Sequence, residues 1–123
     1  MPKYRLYAVR IFVRDWRGAL EFYSKTLGMP VAYANEAMGW AQLGAEGGNL
    51  ALERIDPTNP ESHELLARFL GVSLEVADIA ATYAELRARG VEFLAPPEKQ
   101  PWGGTLAHLR DPEGNVLTLL GSA

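Results

Sequence analysis

Hydrophobic and polar residues alternate over positions 6–13, where β-branched and aromatic side chains dominate. Such alternation predicts a strand whose two faces carry different side chains. One face is uniformly β-branched and consists of Val9, Ile11 and Val13. The other mixes small, basic and aromatic residues and consists of Ala8, Arg10 and Phe12. We expect the first face to pack on a helix and the second to line a cavity or to face a partner.

A helix is predicted directly after this strand. Asp15 stands where an N-cap belongs, because its carboxylate can accept hydrogen bonds from the free N–H groups of a first helical turn. The apolar residues that follow recur at helical spacing; they are Trp16, Ala19, Leu20, Tyr23 and Leu27. Gly28 suits the position after the last turn, and Pro30 prevents continuation. We therefore expect one continuous helix that ends at Gly28.

Three more strands complete the first half of the chain. Their β-type runs span residues 31–34, 39–43 and 50–55. The glycine-rich stretch 44–49 is typical of a hairpin turn, so the order of elements is β-α-β-β-β. The segment Asp56–Pro60 contains two prolines and cannot form a core strand. Apolar residues at helical spacing within 61–70 then predict a short helix.

The same order of elements recurs in the second half. A strand over 72–76 precedes Asp78, which is the predicted N-cap of a helix that ends at Gly90. The later predicted strands span residues 91–94, 105–110 and 116–120. The proline-rich stretch 96–101 is not expected to hold regular structure, and residues 111–115 form a tight turn.

Matched spacing indicates that the two halves are copies of one unit. Helices of similar length follow Asp15 and Asp78, and Gly48-Asn49 aligns with Gly114-Asn115 in the final hairpin. We predict an α+β fold in which residues 1–123 form one domain. Its parts are a first module over 4–56, a linker with a short helix over 57–70, and a second module over 71–121.

Composition narrows the class of protein. The chain has 123 residues, a net charge of −3 and no cysteine. Disulfides, thiolate metal sites and cysteine nucleophiles are therefore excluded, and no basic cluster indicates a nucleic-acid partner. No apolar run has the length of a signal peptide or a membrane span. We expect a cytoplasmic protein without nucleic-acid or membrane partners.

Four short stretches carry a resemblance to a known superfamily. They are Phe22-Tyr23, Leu27-Gly28-Met29, Pro101-Trp102-Gly103-Gly104 and Asp111-Pro112-Glu113-Gly114-Asn115. With the duplicated unit, they resemble the vicinal oxygen chelate superfamily, which includes glyoxalase I, extradiol dioxygenases, and the fosfomycin- and bleomycin-resistance proteins. The resemblance implies two modules of curled mixed sheet around a cleft, usually in a homodimer. Whether modules pair within one chain or between chains stays open.

In catalytic members, the resemblance implies a divalent metal held by His and Glu side chains at four strand positions. In this chain those positions fall on Ala8, Leu52, Gly71 and Thr118, and a register shifted by one residue would replace Leu52 by Glu53. Such metals need imidazole or carboxylate ligands, which Ala, Leu and Gly cannot supply. We therefore predict that this chain holds no metal and no other cofactor.

The faces opposite the helices supply the candidate ligand-binding residues. They are Arg10, Phe12, Trp40, Glu53, Ser73, Glu75, Trp102, His108 and Arg110. Trp102 lies in a loop, where an aromatic ring could stack on a planar ligand. His108, Glu53 and Glu75 are candidate general bases. Each also has a structural interpretation: core packing for Trp40, a satisfied histidine for His108, and cross-strand ion pairs of low energetic value for the charged residues.

Three hypotheses of function follow. In the first, a metal-free homodimer binds an amphipathic or aromatic small molecule; Glu53 and Glu75 favour a cationic ligand, and Arg10 an anionic one. In the second, the chain is an enzyme of the same superfamily, of lyase, isomerase or dioxygenase type, possible without metal if His108 or a glutamate acts as base. In the third, the cleft is closed and the dimer acts through protein contacts. We favour the first.

Overall fold

The computed structural model describes residues 1–122, which fall into two compact units with a boundary between Leu65 and Leu66. This boundary lies inside the linker that the sequence predicts. Each unit contains its own sheet and its own main helix. No helix among the described residues is long and apolar enough to cross a membrane.

The first unit begins with a strand and a helix. Its elements are β1 (Val9–Val13), α1 (Trp16–Glu21), a π-helical segment (Phe22–Thr26), β2 (Val31–Asn35), β3 (Trp40–Ala45), β4 (Gly48–Arg54) and the short α2 (Ser62–Leu65). The strand order in the sheet is β1-β4-β3-β2, and only the β1–β4 pair is parallel.

The second unit repeats this arrangement. Its elements are β5 (Phe69–Glu75), α3 (Ile79–Ala88), β6 (Glu92–Phe93), β7 (Glu98–Lys99), β8 (Thr105–Arg110) and β9 (Val116–Gly121). The strand order is β5-β9-β8-β6, and the β5–β9 pair is parallel. β7 also pairs with β8, at the opposite end of that strand from β6. Two mixed sheets with few helices confirm the predicted α+β fold.

Each unit buries one face of its sheet. In the first unit Ile11 and Val13 of β1 and Leu52 of β4 are fully buried in the core. Burial along β1 does not alternate as predicted, because Phe12 is buried as well and Val9, expected to pack on the helix, is 37% exposed. Trp16 and Tyr23 are also buried, as the helical spacing predicts. In the second unit the core holds chiefly Ile79, Leu86, Leu109, Leu117 and Leu119. Burial of these side chains supplies most of the stabilisation of each unit.

Both predicted N-caps are present. The Asp15 carboxylate accepts a hydrogen bond from the Gly18 N–H at 3.1 Å, and the Asp78 carboxylate accepts one from the Ala81 N–H at 3.0 Å. Each bond satisfies a backbone donor that the first turn of a helix leaves free. The two strand-to-helix junctions are therefore built in the same way.

The turn at residues 111–115 is a buried hydrogen-bond network. One Asp111 carboxylate oxygen accepts the N–H groups of Glu113 and Asn115, each at 2.9 Å, and the other accepts the Asn115 side-chain amide at 3.0 Å. Asn115 is fully buried, and its amide oxygen accepts the Arg68 N–H at 3.2 Å just before β5. This most recognisable motif of the chain therefore stabilises the fold and ties the last hairpin to the start of β5.

Several predicted boundaries were wrong. The helix predicted over 61–70 covers only Ser62–Leu65, and β5 already begins at Phe69. The stretch 96–101 is not wholly irregular, because Glu98–Lys99 pairs with β8. Phe69 and Leu70, which the prediction includes in the helix, belong to strand β5. A short apolar run in a sequence is compatible with either a strand or a helical turn.

The first strand and helix also differ from the prediction. β1 begins at Val9 rather than at residue 6, and the helix changes to π-helical geometry after Glu21. The Leu27 N–H accordingly donates to the Phe22 carbonyl, five residues back, at 2.9 Å. Gly28, with φ of +81°, ends the helix as expected.

The predicted match between the two hairpin turns is wrong, because the Gly-Asn pair lies at different places in the two hairpins. In the first unit Gly48 and Asn49 lie inside β4, after a two-residue turn at 46–47. In the second unit Gly114 and Asn115 belong to the five-residue turn that precedes β9. Because the turns differ in length, an alignment of the two halves on the Gly-Asn pair matches residues of β4 with the wrong residues of β9.

Candidate functional site

Except for Trp102, which lies in the loop between β7 and β8, the candidate residues lie on what we call the polar face of each sheet. This is the face opposite Ile11 and Leu52 in the first unit and opposite Leu109 and Leu117 in the second. In the first unit Phe12 of β1 lies opposite Glu53 of β4, which lies opposite Trp40 of β3. Arg10 lies two residues before Phe12 in β1 and therefore on the same face. The structure therefore brings together all four candidates of the first unit.

An ion pair occupies the centre of this group. The Arg10 guanidinium lies 3.0 Å from the Glu53 carboxylate and 5.2 Å from the centroid of the Phe12 ring. The side chains of Arg10 and Glu53 are 55% and 32% exposed. Each charge thus has a partner, and the aromatic ring holds the guanidinium in place.

The family metal positions offer few ligands. Leu52 is fully buried in the core, so Glu53 is the β4 residue that faces Arg10 on the polar face. Ala8 and Gly71 have no side-chain donor atom, and Thr118 offers a hydroxyl. Among residues 1–122 no group of three or more His, Asp or Glu side chains could hold a metal ion. These residues do not fit the divalent metal of the catalytic relatives.

A histidine–threonine pair occupies the polar face of the second unit. Thr118 lies opposite Ser73 of β5 and His108 of β8, and the His108 Nδ1 is 2.8 Å from the Thr118 hydroxyl oxygen. The ring of Phe69 meets the imidazole edge-on at 5.5 Å between ring centres. These contacts fix the orientation of the imidazole and leave Nε2 as the nitrogen for any further contact.

A small cavity adjoins His108. It has a volume of about 60 Å³, enough for one or two water molecules. The residues that line it are Ala95, Pro96, Glu98, Gln100, Leu106, Ala107 and His108. The cavity is too small for an aromatic ligand, so a binding site for such a ligand has to be elsewhere.

A larger groove lies beside Trp102. Its volume is about 360 Å³, and it is a shallow depression that is largely open to solvent. The residues that line it are Glu75, Trp102, Gly103, Gly104, Leu120, Gly121 and Ser122. The Trp102 side chain is 64% exposed, so a ligand in the groove can reach the indole ring.

Two glycines hold Trp102 in this position. The Gln100 N–H donates to the Gly104 carbonyl at 2.7 Å, and the Gly103 N–H donates to the Gln100 carbonyl at 3.0 Å, which closes a tight loop between β7 and β8. Gly103 has φ of +102°, where side chains are strained. A Cβ at Gly104 would lie 2.1 Å from the indole ring. The Trp-Gly-Gly sequence is therefore what allows the ring to lie against the backbone.

The remaining candidates fall outside this groove. Arg110 forms an ion pair with Glu92 of β6 at 3.5 Å, and Ser73 lies in the row of Thr118. The groove also contains residues that the sequence argument missed, chiefly Leu120 and Ser122. Leu120 lies opposite Glu75 in the β5–β9 ladder, so strand pairing, had it been known, would have identified it.

Fold and site together define a class of protein: a duplicated β-α-β-β-β chain whose family metal positions lack suitable ligands and whose second unit carries an aromatic groove. The chain belongs to the Glyoxalase/Bleomycin resistance protein/Dioxygenase superfamily, whose family model matches residues 5–119. The resemblance drawn from the sequence is thereby confirmed.

Individual relatives cover nearly the whole chain. A bleomycin resistance protein of Klebsiella pneumoniae is 30% identical over 119 residues, which cover 87% of this chain and 84% of that protein. The crystal structure of a superfamily member from Sphaerobacter thermophilus has a TM-score of 0.81 at 30% identity, with 98% of each chain covered. TnmS3, an antibiotic binding protein from Streptomyces sp. CB03234, has a TM-score of 0.76 at 29% identity, with 100% of this chain and 99% of that chain covered.

Proposed function

We propose that this protein is a metal-independent binding protein that holds an amphipathic or aromatic small molecule against Trp102. The observation that carries the proposal is the groove of about 360 Å³ with a largely exposed indole at its edge. Large exposed aromatic side chains that a tight loop holds in place are suited to stacking on planar ligands. The apolar side chain of Leu120 extends this surface.

The chemistry of the family metal positions supports binding without a metal. Ala8 and Gly71 contribute no ligand, Glu53 is engaged by Arg10, and Thr118 is hydrogen-bonded to His108. Activities that depend on a metal to polarise or chelate the substrate are therefore not proposed. Two relatives that are described as a bleomycin resistance protein and an antibiotic binding protein favour capture of a small molecule.

The proposal is tested with 1-naphthylmethanol, a neutral aromatic probe, whose binding is measured by isothermal titration calorimetry in the presence of EDTA. We expect Trp102→Ala to weaken binding roughly five- to tenfold, because an aromatic contact contributes about 1 kcal/mol. Tyr33→Ala is the matched control, since Tyr33 is an exposed aromatic of the first unit, 48% exposed. Equal affinity in Trp102→Ala and Tyr33→Ala would overturn the proposal.

A metal-independent enzyme is the second candidate. It is favoured by the orientation of His108, whose Nδ1 is held by Thr118 and whose ring lines a cavity large enough for water. An imidazole fixed in this way is suited to act as a general base. If the protein only binds, His108→Ala should leave probe affinity within about twofold. Turnover of a ligand found by screening, lost in His108→Ala while binding persists, would establish the enzyme instead.

Assembly and location are part of the same proposal. We propose a homodimer, as the superfamily resemblance implies, and a cytoplasmic location without nucleic-acid or membrane partners. Size-exclusion chromatography with light scattering should give twice the chain mass, and a monomer at micromolar concentration would contradict the dimer. Fractionation of the producing cells tests the location.

A further inference from the structure

We infer that the Trp102 groove selects ligands whose aromatic ring carries a positively charged nitrogen, and that Glu75 determines this selection. The inference rests on the proposed function and adds the charge of the ligand to it. The sequence alone leaves this charge open, because acidic and basic residues both occur among the candidates.

The first step is that the two arginines among the candidate residues, Arg10 and Arg110, each have a carboxylate partner. Arg10 pairs with Glu53 at 3.0 Å, and Arg110 pairs with Glu92 at 3.5 Å. Each guanidinium therefore already has a carboxylate partner, which weakens its attraction for an anionic ligand. Within the described residues, Glu75 forms no ion pair with a basic side chain.

The second step is the composition of the groove. Glu75 is the only charged residue among the seven that line it. Its strand neighbour across the β5–β9 ladder is Leu120, and Leu106 of β8 follows in the same row. The carboxylate thus stands beside apolar side chains and an indole ring, with no basic group in the lining to balance it.

The third step is the interaction that these groups offer. An ammonium group in the groove would be attracted by the Glu75 carboxylate and by the π face of the Trp102 ring. A carboxylate in the same place would be repelled by Glu75. An alcohol would gain a hydrogen bond to the carboxylate but no attraction between opposite charges. The groove is therefore expected to distinguish aromatic ligands of similar size chiefly by charge.

The test compares 1-naphthylmethylammonium, 1-naphthylmethanol and 1-naphthoate by calorimetry at low salt. We expect the ammonium to bind roughly tenfold more tightly than the alcohol, which corresponds to about 1.4 kcal/mol, and the carboxylate to bind least. Glu75→Gln should remove the advantage of the ammonium and leave the affinity for the alcohol within about twofold. Added salt should weaken binding of the ammonium only.

Glu98→Gln is the matched control. Glu98 lies on β7 opposite Leu106, in the same row of the same sheet as Glu75 but outside the groove. The Glu98→Gln substitution removes the same formal charge as Glu75→Gln, so it shows how much of the effect comes from net charge alone. We expect Glu98→Gln to keep the preference for the ammonium.

The outcomes separate the inference from the proposed function. If the alcohol binds as tightly as the ammonium and still depends on Trp102, the groove binds aromatic ligands without regard to charge and the inference is wrong. Equal loss of ammonium binding in Glu75→Gln and Glu98→Gln also overturns it. If none of the three probes responds to Trp102→Ala, the proposed function itself fails.

Discussion

The two units of this chain have the same strand order and the same capped helix, yet their polar faces differ. In the first unit the charges of Arg10 and Glu53 neutralise each other beside Phe12. In the second unit Glu75, which has no basic ion-pair partner among residues 1–122, lines the same groove of about 360 Å³ as the exposed Trp102. The two units thus share a strand order and an apolar core, while the groove beside Trp102 belongs to the second unit.

The comparison also separates residues that maintain the fold from those that could bind. Side chains on the core face recur in both units, because every copy must bury one face of its sheet. Fewer side chains on the polar face are buried, and they differ between the two units. Changes on the core face should therefore alter the free energy of unfolding, and changes on the polar face should alter binding.

The largest expected effect tests which residues of β4 lie on the core face and which lie on the polar face. Leu52→Ala should lower the free energy of unfolding by about 3 kcal/mol, because Leu52 is fully buried. Glu53→Gln, one residue further, should cost less than about 1 kcal/mol, since its ion pair is partly exposed. Urea denaturation measures both. A larger cost for Glu53→Gln than for Leu52→Ala would contradict the assigned faces.

The next effect tests the difference between the two hairpin turns. Asp111→Ala should lower the free energy of unfolding by about 2 kcal/mol, because it removes the acceptor of three hydrogen bonds in a buried turn. Glu46→Ala, in the exposed two-residue turn of the first unit, should change it by less than about 0.5 kcal/mol. Similar costs in a denaturation series would show that the Asp111 network is not a stabilising feature.

A smaller effect tests what the units share. Asp15→Ala and Asp78→Ala should each cost about 1 kcal/mol, because each carboxylate caps a helix with one hydrogen bond near 3 Å. The Asp→Asn variants are the controls and should retain most of the stability, since asparagine also caps helices. A clear loss at one cap with none at the other would contradict the equivalence of the two junctions.

The smallest effect concerns pH and is confined to the first unit. The hydrogen bond from Arg17 lowers the pKa of the Glu36 carboxyl. A lowered pKa in the folded state stabilises the protein above the ordinary carboxyl pKa of about 4.3, and this contribution is lost as pH falls through the folded-state value. Glu36→Gln should therefore flatten the fall in stability between about pH 5 and pH 3.

Arg17→Ala provides the check on that pH effect. It removes the donor that lowers the pKa of Glu36 and should flatten the acid limb of the stability curve as Glu36→Gln does. An unchanged acid limb in both variants, measured by urea denaturation at several pH values, would mean that the pair does not contribute to folding.

Much of the fold could be predicted because its signals are local. The caps at Asp15 and Asp78 each depend on residues within a few positions, and the structure contains both. The alternation predicted for β1 is present only in part, because Val9 is exposed and Phe12 is buried beside Ile11 and Val13. The offset between β4 and β9 could not be predicted, because it depends on how many residues each turn uses. Alignment on Gly48-Asn49 and Gly114-Asn115 hid that difference.

The site shows the same division. The exposure of Trp102 could be predicted from its loop, which combines a proline and two glycines. The charge pairing could not, because Arg10 and Glu53 come together only through the register of β1 and β4. The unpaired state of Glu75 likewise depends on which residues of β9 and of the β7–β8 loop lie next to β5.

The central claim is that a ligand is held against Trp102 in a site that needs no metal. Calorimetric titration of 1-naphthylmethanol into protein stripped with EDTA, and into the same protein supplied with Zn²⁺, Mn²⁺, Ni²⁺ or Fe²⁺, tests it most directly. We expect the same dissociation constant within about twofold under all these conditions, weakened roughly five- to tenfold in Trp102→Ala. Binding that appears only after a metal is added, or that is unaffected by Trp102→Ala, would contradict the claim.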